Sequence, residues 1–218
     1  MTGDTLFITT IEVLGTIAFA ISGIRLAAAK RFDWFGAYVV GLVTAIGGGT
    51  VRDVLLDIPV FWMLSFRYLA VTGLSLAAVI IFRQALVRGM RTLFIFDAIG
   101  LALFVVVGIQ KTLAAGYPMW VAIVMGIITG SFGGIIRDIL INDEPLFFRK
   151  DIYATACLAG GVAYYLVSLT NAPLWVPQGI CAATIVGLRV LAVRYNWSLP
   201  ILKVDRESLP DDRQSDIK

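Results

Sequence analysis

Gly47-Gly48-Gly49-Thr50-Val51-Arg52-Asp53 sets three glycines and two opposite charges inside an otherwise apolar run. The pattern returns as Gly133-Gly134-Ile135-Ile136-Arg137-Asp138, so Gly48, Gly49, Arg52 and Asp53 recur 85 residues later at unchanged mutual spacing. The likeness spreads outward from the motif. At the same offset Phe32 matches Tyr117, Gly41 matches Gly126 and Thr44 matches Thr129, while Gly15, Phe19 and Gly23 match Gly100, Phe104 and Gly108. Glu12 falls opposite Asp97.

The medium in which this repeat works follows from composition. Of 218 residues, 59% are hydrophobic and 15% charged, and the mean hydropathy is +0.87. A soluble domain carries roughly 25% charged residues, so the chain reads as an integral membrane protein. Apolar stretches of about 17 to 25 residues, each able to cross roughly 30 Å of hydrocarbon, recur along it. Seven spans are expected, at about 6–24, 35–56, 68–85, 93–110, 118–141, 152–169 and 174–193. They form one membrane domain over 1–195, with repeat 1 at about 5–85, repeat 2 at about 92–170 and helix 7 at about 174–193. Residues 196–218, polar and carrying Pro200 and Pro210, read as a solvated cytoplasmic tail. The first run lacks a basic region before it, since Asp4 precedes it and no Lys or Arg does, so it reads as a span and not as a leader.

Basic residues concentrate on the cytoplasmic side of membrane proteins. With the N-terminus outside, the inner segments hold Arg25, Lys30, Arg31, Arg83, Arg88, Arg91, Arg149, Lys150, Arg194 and Lys203, against Arg67 and Lys111 outside. The expected orientation in a prokaryotic inner membrane is therefore N-terminus out and C-terminus cytoplasmic. Trp34, Tyr38, Tyr117, Trp120 and Trp175 open the second, fifth and seventh spans as aromatic anchors at headgroup level. The excess of basic charge serves topology and not nucleic acid.

A repeat unit of three spans has consequences for direction. An odd number of crossings makes the second copy enter the membrane from the opposite side, so spans 1–3 and 4–6 form an inverted repeat with span 7 left over. Such folds place the permeation site near the midplane, where interrupted helices meet. A glycine costs a helix about 1 kcal/mol relative to alanine, so Gly47, Gly48 and Gly49, and again Gly133 and Gly134, predict breaks in spans 2 and 5. The competing reading is close helix packing through small residues.

An ionisable side chain near the bilayer centre costs at least about 2.5 to 3.5 kcal/mol and faces a cavity or a partner. Adjacent Arg and Asp project about 100° apart on a helix, so partners are expected on other helices. At a rise of about 1.5 Å per residue, Arg52 and Glu12 lie roughly 9 and 6 Å to the outer side of the midplane, and Arg137 and Asp97 roughly 9 to 10 Å to the inner side. Two pairs are predicted, Glu12 with Arg52 and Asp97 with Arg137, against snorkelling of both arginines toward headgroups. Asp53 and Asp138 would then supply negative potential to a cation path. Thr44, Thr129 and Ser131, about one turn before the glycines, offer oxygen ligands to a small cation or bond back to their own helix.

Other chemistries are poorly served. The chain has no histidine and two cysteines, Cys157 and Cys181, expected at different depths. No zinc site, disulfide, cofactor site or nucleophile–base pair is expected, and the chain does not read as an enzyme.

The duplicated GGxxRD motif, seven spans, three-plus-three inversion and small size resemble the prokaryotic branch of the trimeric intracellular cation (TRIC) channels over roughly residues 5–195. The resemblance implies a homotrimer in the lipid bilayer in which each protomer encloses its own pore, lined mainly by spans 2 and 5. It implies conduction of monovalent cations, potassium first and sodium with it, bound only in transit. Animal members carry Lys-Val-Glu-Gly-Gly before the second-span break, where this chain has Thr44-Ala45-Ile46-Gly47-Gly48, so lipid-phosphate binding by that lysine does not carry over. The alternative is a secondary transporter of a small solute such as glycine, to which inverted repeats are equally suited. Gly179, Ala183 and Gly187 make a small-residue stripe in span 7, open to packing within or between protomers.

Overall fold

The structure, a computed structural model, describes residues 3–82, 90–148, 152–170 and 172–200. Arg83, Arg88, Arg149, Lys150, Lys203 and the tail beyond residue 200 lie outside the described residues, as does the side chain of Arg91. The described helices are α1 (Gly3–Ala29), α2 (Trp34–Leu55), α3 (Arg67–Ile81), α4 (Met90–Ala114), α5 (Met119–Leu140), α6 (Ala154–Ser168) and α7 (Trp175–Tyr195). α1, α2, α4, α5 and α7 are each long and apolar enough to cross a bilayer. α3 and α6 have 15 residues each, about 22 Å of helix, and are shorter than their expected spans. They hold equivalent places in the two halves.

The halves are built alike. α1 packs on α2 and α3 as α4 packs on α5 and α6, and the halves meet through α1 against α4 and α2 against α5. α7 stands outside the repeat, against α6 and α4. Contacts across the centre are reciprocal. Phe19 and Phe104 meet at 5.2 Å between ring centroids, and each covers the other half's glycine, Phe104 over Gly15 and Phe19 over Gly100. Lys30, just past α1, pairs at 2.7 Å with Asp143, just past α5, so those two ends share one face. Lys111, near the end of α4, pairs with Glu12 near the start of α1, so α1 and α4 run in opposite senses. These are the contacts an inverted repeat requires.

The break expected at the glycines is not what they build. α2 and α5 are each assigned as one α-helix through Gly47–Gly49 and Gly133–Gly134. The glycines instead let two backbones touch. A Cβ on Gly48 would overlap the carbonyl oxygen of Thr129, and one on Gly133 would overlap that of Thr44. This is the packing use of small residues in a bilayer, and it offsets their poor helix propensity.

Both helices end in the same way a turn and a half later. Asp57 N donates to Val54 O at 3.2 Å and Ile58 N to Asp53 O at 3.0 Å. In the other half Asn142 N donates to Ile139 O at 3.0 Å and Asp143 N to Asp138 O at 2.8 Å. Asp57 and Asn142 take the left-handed conformation, with φ of 54° and 56°, which Asp and Asn tolerate better than most side chains. Each is the C-terminal stop that satisfies carbonyls a helix would leave unpaired.

The glycine contact makes a contrast to measure. Gly48→Ala and Gly133→Ala are expected to cost about 2 kcal/mol or more, because a backbone atom must move, whereas Gly73→Ala, whose added Cβ finds its nearest neighbour at 3.9 Å, is expected to stay within about 0.5 kcal/mol. Thermal unfolding of the purified variants in detergent checks this; equal losses at all three positions would contradict the packing role.

Candidate functional site

On either side of the glycine contact lies a cluster of buried charge. Toward the face where α1 begins, Arg52 donates through Nε at 2.8 Å and Nη2 at 2.6 Å to Asp53 Oδ1. The other oxygen of Asp53 accepts from Phe61 N at 2.9 Å, which ties down the loop after α2. Glu12 accepts from Tyr68 Oη at 2.9 Å and pairs with Lys111. Phe61 joins the two groups: its ring lies 5.7 Å from Arg52 Cζ and 5.1 Å from Lys111 Nζ, and meets Tyr68 edge-on at 4.5 Å.

Toward the opposite face, Arg137 donates through Nε to Asp138 Oδ1 at 2.8 Å and through Nη1 to Asp97 Oδ1 at 2.7 Å and Ser22 Oγ at 2.9 Å. Asp138 Oδ2 accepts from Leu146 N at 3.1 Å, as Asp53 does from Phe61. Arg189 of α7 reaches Asp97 Oδ2 at 3.3 Å, its Cζ 5.0 Å from the Phe94 ring and 4.4 Å from the Tyr153 ring.

The predicted residues are thus gathered, with corrected pairings. Asp97 and Arg137 are partners, as expected. Glu12 and Arg52 are not: Glu12 takes Lys111 and Tyr68, and Arg52 takes Asp53. The expectation that partners lie on other helices fails for Arg52, which takes its neighbour Asp53, and holds in part for Arg137, which takes both Asp97 and its neighbour Asp138. A guanidinium on its long stem folds back across the helix surface, and in a buried site the nearest carboxylate is a strong partner. Arg52 and Arg137 are each 1% exposed, which excludes snorkelling. Asp53 and Asp138 are saturated by an arginine and a backbone amide, so neither is a free source of negative potential. Thr44, Thr129 and Ser131 donate at 2.6 Å to Val40 O, Met125 O and Ile127 O. Thr44 and Thr129 also place their hydroxyl oxygens against Gly23 of α1 and Gly108 of α4.

Sequence reasoning passed over Ser22, Arg189, Tyr68, Tyr153 and Lys111. Arg189 is an ionisable residue inside an apolar span, and that alone marks a candidate. Tyr68 and Tyr153 match at the repeat offset. Lys111 was read only as a topology charge. Counted over its formal charges, each cluster is neutral: Glu12, Asp53, Arg52 and Lys111 on one side, Asp97, Asp138, Arg137 and Arg189 on the other.

A three-helix unit repeated in opposite senses, with a compensated charge cluster buried toward each face, defines an inverted-repeat integral membrane protein. A family model described as glycine transporter matches residues 9–84 and again 94–168, one match per half. The inner membrane protein YadS of Escherichia coli K12, designated UPF0126, is 40% identical over 201 residues, 89% of this chain and 96% of that protein. YvgT of Bacillus subtilis is 37% identical over 193 residues, 87% and 94% of the two chains. Among solved structures, the TRIC trimeric intracellular cation channel orthologue from Rhodobacter sphaeroides superposes with a TM-score of 0.82 at 32% identity, covering 88% of this chain and 99% of that one. A prokaryotic TRIC channel in 0.5 M KCl gives 0.80 at 29% identity over 89% of this chain and all of its own. The chain belongs to the prokaryotic TRIC family, the family of the UPF0126 membrane proteins.

Unequal burial of the two cationic partners, Arg52 and Lys111, sets a test. Asp53→Asn strands Arg52, 1% exposed, and is expected to cost about 3 kcal/mol or more. Glu12→Gln keeps an acceptor for Tyr68 and releases Lys111, whose side chain is 25% exposed, and is expected to cost about 1 kcal/mol. The difference in unfolding temperature between the two variants checks the ordering.

Proposed function

We propose that this protein is a passive channel for monovalent cations, potassium-permeable and passing sodium, with one pore per protomer of a homotrimer. The observation that carries the reading is the α2–α5 crossing flanked by two neutral charge clusters, in a chain whose fold matches TRIC channels over almost their whole length. The crossing is backbone against backbone at Gly48 and Gly133, with Gly47, Gly49 and Gly134 beside it, and it closes the midplane between α2 and α5. Ions pass when these helices part. Glu12, Arg52 and Asp53 gate one end and Asp97, Arg137 and Asp138 the other. Thr44, Thr129 and Ser131 keep a lone pair each for a cation that reaches the crossing.

A homotrimer accords with the stripe on α7. A Cβ on Gly179 or Gly187 would meet nothing within 4 Å, so the stripe does no packing within the protomer and is available to a neighbouring one or to lipid. The N-terminus lies outside and the C-terminal tail in the cytoplasm of a prokaryotic inner membrane, by the distribution of basic residues. A second reading, secondary transport of glycine, is favoured by the description of the matching family model.

Reconstitution of the purified full-length protein separates the two. Unitary potassium currents in a planar bilayer, with no saturable glycine uptake by proteoliposomes from the same preparation, are expected. Robust, ion-coupled glycine uptake without potassium current would establish the transporter instead.

A further inference from the structure

The two clusters share four members at the repeat offset, Glu12 with Asp97, Arg52 with Arg137, Asp53 with Asp138 and Tyr68 with Tyr153, but they hold the first of these carboxylates differently. Tyr68 donates to Glu12 Oε2 at 2.9 Å, so that carboxylate has a hydroxyl on one oxygen and the Lys111 ammonium on the other. At the repeat offset Tyr153 stands for Tyr68 and Asp97 for Glu12. Here both oxygens of Asp97 are held by cations, Arg137 at 2.7 Å and Arg189 at 3.3 Å, and Tyr153 Oη, fully buried, has no hydrogen-bond partner among the described residues. The Arg189 guanidinium lies 4.4 Å from the Tyr153 ring. It comes from α7, the helix without a counterpart in the repeat.

We infer that Arg189 and Tyr153 compete for Oδ2 of Asp97, and that exchange of one for the other opens the end of the pore where α7 finishes. Arg189 is held by a long bond and sits about one and a half turns before the end of α7, so its stem can carry the guanidinium outward toward polar surroundings. Once it leaves, Tyr153 donates to Asp97 as Tyr68 does to Glu12. The orphaned hydroxyl, costly to keep buried without a partner, is then satisfied. The charge changes with the bond: Asp97, Asp138 and Arg137 alone carry one net negative charge, so a neutral plug becomes a mouth that attracts cations. Arg189 and Tyr153 are thereby positioning residues, acting on ions through Asp97.

This inference rests on the channel reading only for its electrical test, and a second measurement is independent of conduction. Cys157, fully buried, lies one turn beyond Tyr153 and is the sole thiol once Cys181 is replaced by alanine. In full-length Cys181→Ala protein in liposomes, single-channel open probability and the rate of Cys157 labelling by a water-soluble thiol reagent are measured side by side. Arg189→Gln is expected to raise both by at least about tenfold, since a hydrogen bond to a charged group is lost from the closed arrangement. Tyr153→Phe removes a hydroxyl that has no partner in the closed arrangement, and is expected to lower both by about three- to tenfold with unfolding temperature preserved. Arg189→Lys, which keeps the charge on a compact and more strongly hydrated head, is expected to show a smaller rise than Arg189→Gln, and with Tyr153→Phe it carries the test if Arg189→Gln does not fold. Labelling unchanged by Tyr153→Phe, or unchanged by both Arg189 variants, overturns the exchange. Labelling that follows the expected pattern without potassium current upholds the exchange and overturns the channel.

Discussion

Everything in this molecule is arranged around two carbonyl oxygens that leave no room for a side chain. Thr129 O lies where Gly48 would carry a Cβ, and Thr44 O where Gly133 would. A bilayer supplies no hydrophobic force between helices, so association depends on close van der Waals contact. Two backbones meeting at these points hold the halves together and fix the relative depth of α2 and α5. That depth then fixes the level of every charge downstream of the glycines, because a rigid helix carries Arg52 and Arg137 equal distances to either side.

Most of the fold was legible in the sequence because a duplication at fixed offset is a strong signal, and an odd number of spans dictates inversion. The depth argument found Asp97 with Arg137. It failed for Glu12 with Arg52 because depth constrains one coordinate of three, and azimuth around the bundle put Lys111 and Tyr68 nearer to Glu12. The glycines misled for a physical reason. Propensity measures what a helix loses by itself, and the gain from the neighbour that a bare backbone admits is visible only when the neighbour is in place. Arg189 escaped notice since it belongs to no repeat, although an arginine within span 7 was a signal in its own right. The loop bonds at Phe61 N and Leu146 N had no signal in side-chain chemistry at all.

Burying seven charged groups, with Lys111 partly exposed beside them, looks expensive until their arrangement is followed. Each arginine satisfies carboxylates, each carboxylate of the motif also caps a loop, and both sets sum to zero. Buried ion pairs of this kind contribute little net stability over apolar packing, yet breaking one partner is costly. Their effect is to specify one arrangement of helices and loops among the many that an apolar bundle would permit. The aromatic rings of Phe61, Phe94 and Tyr153 lie against the guanidinium and ammonium groups without taking charge from them.

The reciprocity of Phe19 with Phe104, and of their glycines, has a meaning for ancestry and direction. Two identical copies of a three-helix unit, placed head to tail in a membrane, would form these same contacts as a dimer with indistinguishable front and back. Joined in one chain, the copies are free to differ, and they have done so at Glu12 against Asp97 and at Lys111 against Leu26, with α7 and its Arg189 recruited to one side. A fused dimer whose ends are no longer equivalent has acquired polarity, so what enters from one side meets its barriers in a different order from what enters from the other.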